Sequence, residues 1–360
     1  MSASSRPAWW RELIHRPFFW GIVAIAALLA LNVIKDPGYL AISVNPANGN
    51  LVGNLIDILR YAAPIMMIAI GMSLVIATGG IDLSVGSVMA VAGATSMQFL
   101  NAAGAPTSVG AALAAVGLSV AIAGVLGAVN GVLVAYVGLQ PFIATLVLMM
   151  AGRGIAKVIT GGQNTSATND PFRWIANGYV LGFPVIFLLA VVIVLIVAWV
   201  VRRSALGLMI EAIGINPRAS RMAGIRPKGL LLTAYILSGV LAGIAGLMSV
   251  GSVMTVDISR TGNQLELDAI LAVVIGGASL AGGKFSLAGA FVGALMIATL
   301  DKTVLFLGIS SSATPAFKAI VIVVLCLLQS SRVRGWFGRR RATPSAPVPA
   351  ASPVKEEVAA

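Results

Sequence analysis

Few side chains in this sequence could do chemistry. His15 is the only histidine and Cys326 the only cysteine in 360 residues, and the 12 acids are scattered. That supply leaves no histidine-based metal site, no catalytic triad, no intramolecular disulfide and no thiolate metal cluster. No catalytic residue and no metal ligand is therefore assigned. The candidate polar groups along any path through the apolar segments are Asp82, Asn130, Gln140, Glu266 and Asp268. Each can bond a polar solute, and each can equally cap a helix or join two helices.

Asp82 has the most telling surroundings. It follows Gly79-Gly80 and precedes Ser84, between the apolar runs 65–77 and 85–99. Paired glycines break a helix because glycine loses the most backbone freedom on ordering. An ionised carboxylate at the bilayer centre costs roughly 2.5–3.5 kcal/mol on the insertion scale, so it faces a cavity, a partner or the interface. The segment Gly79, Gly80, Asp82, Ser84 is expected to end one helix and start the next. The plainer alternative is that Asp82 or Ser84 caps that next helix near a membrane surface.

These residues belong to a chain that is 58% hydrophobic and 10% charged, with a mean hydropathy of +0.98. Soluble domains are typically ~25% charged. The composition predicts an all-α polytopic membrane protein. Apolar segments occur at 18–34, 55–77, 85–99, 109–137, 142–159, 179–201, 230–250, 267–280, 285–300 and 315–328. The first is read as a retained span and not a cleaved signal, because so many spans follow it. The segment 267–280 is short for a span of ~20 residues and is expected to be re-entrant or extended by its neighbours. Gly127 and Gly131 form a GxxxG pair that lets helices approach closely. Pro64 can kink the second span.

The formal charge is +12. Its basic residues cluster at the N-terminus, at 202–228 and at 332–341, beside apolar segments, as the positive-inside rule requires. Nucleic acid is not an expected partner. Both termini and the 202–228 loop are expected in the cytoplasm, which six crossings before that loop and four after it satisfy, about ten transmembrane helices in all. The expected organisation is a cytoplasmic or interfacial segment at 1–17, with Trp9, Trp10, Leu13 and Ile14 on one face. A membrane-embedded domain follows at 18–331, and a basic, then disordered, tail at 332–360.

Gly282-Gly283-Lys284 does not make a phosphate loop: Ala278 stands where the first glycine is required and Phe285 where a serine or threonine is. The same stretch faintly echoes Gly79-Gly80, as repeated halves of transporters often do. The 202–228 loop holds Arg202, Arg203, Arg218, Arg221, Arg226 and Lys228 against the single acid Glu211. Within it, Glu211–Ile225 reads as two short helices joined at Asn216-Pro217, with small residues that a partner's surface could approach.

Four stretches together resemble a known family. IATGGIDLSVGSVMAVAGA at 76–94, GLQPFIATLVLMMAGRGIA at 138–156, EAIGINPRASRMAGI at 211–225 and ELDAILAVVIGGASLAGG at 266–283 are similar to the permease subunits of bacterial ribose-type sugar ABC importers, most of all to the galactofuranose importer permease. The resemblance spans roughly 50–330. It implies a transport subunit, not an enzyme, in a bacterial inner membrane, forming the path for a monosaccharide. It further implies a second permease copy or paralogue, a cytoplasmic ABC ATPase that uses the ATP, and a periplasmic sugar-binding protein. No cofactor is expected on this chain. The ATPase-coupling segment maps onto Glu211, Gly214, Asn216, Arg218, Ala219, Ala223 and Gly224. A bulky charged residue at Gly214 or Ala219 is expected to prevent recruitment of the ATPase. The rival reading is an ion-gradient-driven secondary transporter.

Overall fold

A computed structural model describes residues 17–46, 49–310 and 312–329. The amphipathic stretch at 9–16, the basic cluster at 332–341 and the tail lie outside the described residues. The protein is mostly helical. In chain order the helices are α1 (Pro17–Lys35), α2 (Asn54–Ala77), α3 (Val85–Ala103), α4 (Val109–Val132), α5 (Pro141–Ile159), α6 (Asp170–Asn177), α7 (Val185–Arg203), α8 (Leu206–Ile215), α9 (Pro217–Met222), α10 (Pro227–Val253), α11 (Leu265–Ile275), α12 (Leu287–Leu307) and α13 (Thr314–Gln329). A π-helical turn, Leu133–Val137, continues α4.

Among the described residues, seven helices are long and apolar enough to cross a membrane: α1, α2, α4 with its π-turn, α5, α7, α10 and α12. The other three expected segments are α3, α11 and α13, of 19, 11 and 16 residues. The architecture is thus a multi-pass membrane bundle with short and broken members.

Helix starts follow from local chemistry. Proline, whose fixed φ and missing donor suit the first turn, opens α5, α9 and α10. It carries the start of α10 three residues before the expected 230. Asn169 accepts from Phe172 N at 2.9 Å and starts α6 inside what the sequence presents as an irregular loop. The seventh helix accordingly begins at Val185, and residues 179–184 form a hairpin. Three two-residue antiparallel ladders tie the connections at one end of the bundle: β1 (Ser43–Val44) with β2 (Leu51–Val52), β3 (Thr165–Ser166) with β6 (Thr255–Val256), and β4 (Tyr179–Val180) with β5 (Phe183–Pro184).

The core sits around α2, buried from Ala62 to Ala77 except at Pro64, and around α10 and α3. The helix runs through Pro64. Close approach is secured by small residues. A Cβ at Gly127 would stand 3.1 Å from Gly239 Cα and 3.2 Å from Ile236 Cα, so the GxxxG pair packs α4 on α10. By contrast α4, α5 and α7 turn apolar side chains outward, among them Val125, Met150 and Trp199.

Candidate translocation and coupling site

The helix break forms as the glycines dictate. Gly79 takes φ +84; its N–H donates to Ile76 O at 2.9 Å and that of Gly80 to Val75 O at 3.2 Å. This is a Schellman end, which needs a left-handed residue at Gly79. The chain then turns and α3 begins after Ser84. Asp82 Oδ1 accepts from the Ser84 N–H at 3.0 Å and from Ser84 Oγ at 2.6 Å. Its Oδ2 accepts from Ser238 Oγ of α10 at 2.7 Å. Asn130 Nδ2 of α4 donates to Ser84 Oγ at 2.8 Å, and Thr145 Oγ1 of α5 donates to Ile81 O at 3.2 Å. The carboxylate therefore makes an Asx turn onto Ser84, the residue before α3, and cross-links that turn to α10, while Ser84 itself makes no side-chain cap bond. Ser238 lies about 16 Å along α10 from Pro227, so the carboxylate is well inside the bundle.

Asp82, Ser84 and Asn130 come together but are sealed: none is more than 1% exposed. Of the other expected path residues, Gln140 is exposed at the start of α5, with no side-chain cap bond. Glu266 and Asp268 lie in the first turn of α11. Glu266 is close to Gly86, whose added Cβ would overlap the Glu266 carboxylate and Gly262 O. Beside it, Arg153 of α5 donates to Thr261 O at 2.6 Å and Gly262 O at 2.7 Å, pinning the loop that leads into α11. Asp268 pairs with Lys318 of α13 at 3.0 Å.

The open space in the bundle is elsewhere. A cavity of about 540 Å³ opens at the ladder end of the bundle between α2, α6, α10 and α12. Its polar lining includes Asp57, Arg60, Asn177, Ser249, Ser252 and Lys302. Arg60 donates to Asn177 Oδ1 at 2.6 Å and Lys302 to Asp57 Oδ2 at 2.6 Å. This volume falls within the range of small-molecule sites, and its donors and acceptors suit hydroxyl groups. A second cavity, about 440 Å³, lies between α11 and α13 beside Asp268 and Lys318.

At the opposite end, α8 and α9 form the expected pair of short helices. Asn216 Oδ1 accepts from the N–H groups of Arg218 and Ala219, both at 3.0 Å. Asn216, Arg218, Ala219, Arg221, Ala223 and Gly224 are exposed, with Ile215 and Met222 at 74% and 85%. Glu211 is half-buried, beside Arg202 and Phe285. Gly214 points inward: an added Cβ would overlap Ala77 O and Gly283 N. Gly283 N also donates to Ala77 O at 2.9 Å, and a Cβ on Gly282 would fall 2.9 Å from Gly79 Cα. The short-helix pair α8 and α9, the helix break and the turn after α11 thus meet backbone to backbone.

The echo between the two glycine pairs has a different register from the one the sequence suggests. The counterpart of Gly79 is Gly277, at φ +92. Its N–H donates to Val274 O at 2.9 Å, and the next N–H, of Ala278, to Val273 O at 3.2 Å. Gly282-Gly283 belongs to the longer turn that follows.

The family described as branched-chain amino acid transport system / permease component matches residues 54–328. The chain belongs to this family. It is a family of permease components, transport subunits and not enzymes. Among relatives of this permease, the fructose import permease protein of Bifidobacterium longum is 52% identical over 90% of each chain. The galactofuranose transporter permease protein of Escherichia coli is 42% identical, covering 86% of this chain and 89% of its own. The ribose import permease protein of Escherichia coli is 36% identical, covering 86% and 93%. No solved structure matches the permease.

Sequence reasoning missed the cavity-lining Asp57, Arg60, Asn177, Asp301 and Lys302, and Lys318, which pairs with Asp301. A signal was present. Asp301, Lys302 and Lys318 are ionisable residues in or beside the last apolar segments, where each calls for a partner.

Proposed function

We propose that this chain is the membrane permease of an ATP-driven importer for a monosaccharide, a pentose or hexose in pyranose or furanose form. One observation carries the reading: the polar cavity and the coupling segment lie at opposite ends of the same helix. Asp57 and Arg60 line the cavity near the start of α2, and Ala77 meets Gly214 at its end. The 24-residue helix is about 36 Å long. The printed names of three relatives, for fructose, galactofuranose and ribose import, support a sugar as the solute.

In this reading the protein sits in a bacterial inner membrane, with the arginine-bearing coupling segment and both termini in the cytoplasm. The membrane domain runs from 18 to 331, between a short N-terminal segment and a basic tail. A separate ABC ATPase docks on the exposed face around Arg218, Ala219 and Met222. A periplasmic sugar-binding protein delivers solute at the ladder end, and a second copy or a paralogue completes the path. ATP acts in the partner. It does work here by binding one conformation of the permease better than another. Asp82, Asn130 and Ser84 fix the break about which the halves of the bundle reorient; Arg60, Asp57 and Asn177 hold the sugar. Gln140, Glu266 and Asp268 are path groups only in another conformation of α5 and α11.

The test is uptake of labelled fructose, ribose and galactose by proteoliposomes holding permease, ATPase and binding protein. Sugar-stimulated ATP turnover with uptake supports the proposal. Uptake of leucine instead would replace the sugar with an amino acid. Uptake by the permease alone under a sodium or proton gradient would make it a secondary transporter.

A further inference from the structure

Two ion-pair systems stand side by side at the cavity end of α12. Lys302 binds Asp57 and so ties α12 to α2. The preceding residue, Asp301, accepts from Lys318 of α13 at 2.7 Å. Lys318 Nζ also donates to both oxygens of Asp268 on α11, at 3.1 and 3.0 Å. Asp301 lines the larger cavity, and Lys318 and Asp268 line the smaller. The Asp301–Lys318 bridge therefore joins the linings of the two.

Stability alone is a poor reason for this cluster. Burying charges costs solvation that their attraction barely returns, and apolar residues of equal volume often do as well or better. The helix that brings Lys318 is also lightly packed: Ile322 is buried, but Ile320, Val323, Val324 and Leu327 are exposed. Among the described residues, Lys318 ties α13 to α11 and α12 by charged hydrogen bonds. One of its partners, Asp268, lies in the first turn of α11. The other end of that eleven-residue rod leads into the turn that touches Gly79 and Gly214.

We propose that Lys318 is a positioning residue for transport. It divides its charge between Asp301, which the solute cavity exposes, and Asp268, which steers α11. A solute hydroxyl bonded to Asp301 weakens that arm and strengthens the other, and α11 carries the change to the coupling segment. This rests on the permease reading above and names the side chain that links its cavity to its coupling face.

The test uses the full chain in lipid nanodiscs, with Cys326→Ser as background and Lys284→Cys as a thiol reporter in the exposed turn after α11. Maleimide labels the reporter in three forms: the parent, Lys318→Met, and the neutral set Asp268→Asn, Asp301→Asn, Lys318→Met. The neutral set leaves no charge unpaired and guards against misfolding of the single variant. The labelling rate is expected to change at least threefold in the neutral set, and in the single variant wherever it folds. If the neutral set labels like the parent, the cluster is only a clasp and the proposal fails. This arm needs no sugar and no partner. Failure of the reconstituted parent to take up fructose, ribose or galactose would refute the importer reading separately.

Discussion

Gly214→Ala adds one methyl group at the place where three segments meet. The added Cβ would overlap the Ala77 carbonyl oxygen and the Gly283 amide nitrogen. Both are backbone atoms, so no rotamer change relieves the overlap. Relief requires α8 to withdraw or the Gly283 N–H to Ala77 O bond, 2.9 Å long, to open. Overpacking costs about 1–3 kcal/mol, and a buried polar group left without a partner about 1–3 kcal/mol. Their sum, about 2–6 kcal/mol, weighs against the conformation in which coupling segment, break and turn are joined. At ~1.4 kcal/mol per factor of ten, even the lower bound shifts that equilibrium more than tenfold. The docking face on α9 is untouched, so the ATPase should still co-purify in equal amount. Sugar uptake per ATP hydrolysed should fall at least tenfold. Gly229→Ala is the control, since it lies at the same end with nothing within 4 Å of its added Cβ. Wild-type uptake and coupling in Gly214→Ala would refute the reasoning, because the junction would then transmit nothing.

Ala219→Glu, on the exposed face of α9, should insert normally but lose most of its bound ATPase in a pull-down, the opposite pattern to Gly214→Ala. Asp82→Ala strands the Ser84 N–H and the Ser84 and Ser238 hydroxyls. At about 1–3 kcal/mol for each buried donor left unpaired, it should lower the detergent-solubilised Tm by several degrees, and Asp82→Asn by less. Arg60→Ala leaves Asn177 Oδ1 without its partner and removes a donor from the cavity; uptake assays should show KM raised about tenfold with ATPase binding unchanged, that being ~1.4 kcal/mol of solute contact. Gly127→Val should abolish assembly, because its Cβ would collide with α10 backbone, while Gly117→Ala, with nothing near its Cβ, should behave as wild type; fluorescence-detected gel filtration separates the two.

The membrane class, the segments and the break at Gly79 were legible because hydropathy and glycine act locally. The pair of short helices α8 and α9 was legible for the same reason: Asn216-Pro217 carries its own cap. What stayed hidden depends on distant residues. Nothing in the sequence around Gly214 tells that Ala77 and Gly283 fold against it, so a residue that reads as docking surface faces inward. Lys318 and Asp268 are 50 residues apart, and which acid a half-buried lysine finds is settled by packing. Asn169-Asp170-Pro171 is a good helix start, but the polar loop composition around it masked the short helix that helps wall the cavity.

The burial of α2 also sets an order of events during synthesis. This helix touches α10, α11 and α12, which emerge long after it. At about 5–20 residues per second, the roughly 230 residues from Ala77 to the end of α12 take about 10–45 seconds. Through that interval the segment destined for the centre must wait in lipid or against a membrane chaperone, its small-residue faces open to foreign helices. Truncation anywhere before α12 would leave it permanently in that condition, a ready mark for membrane proteases.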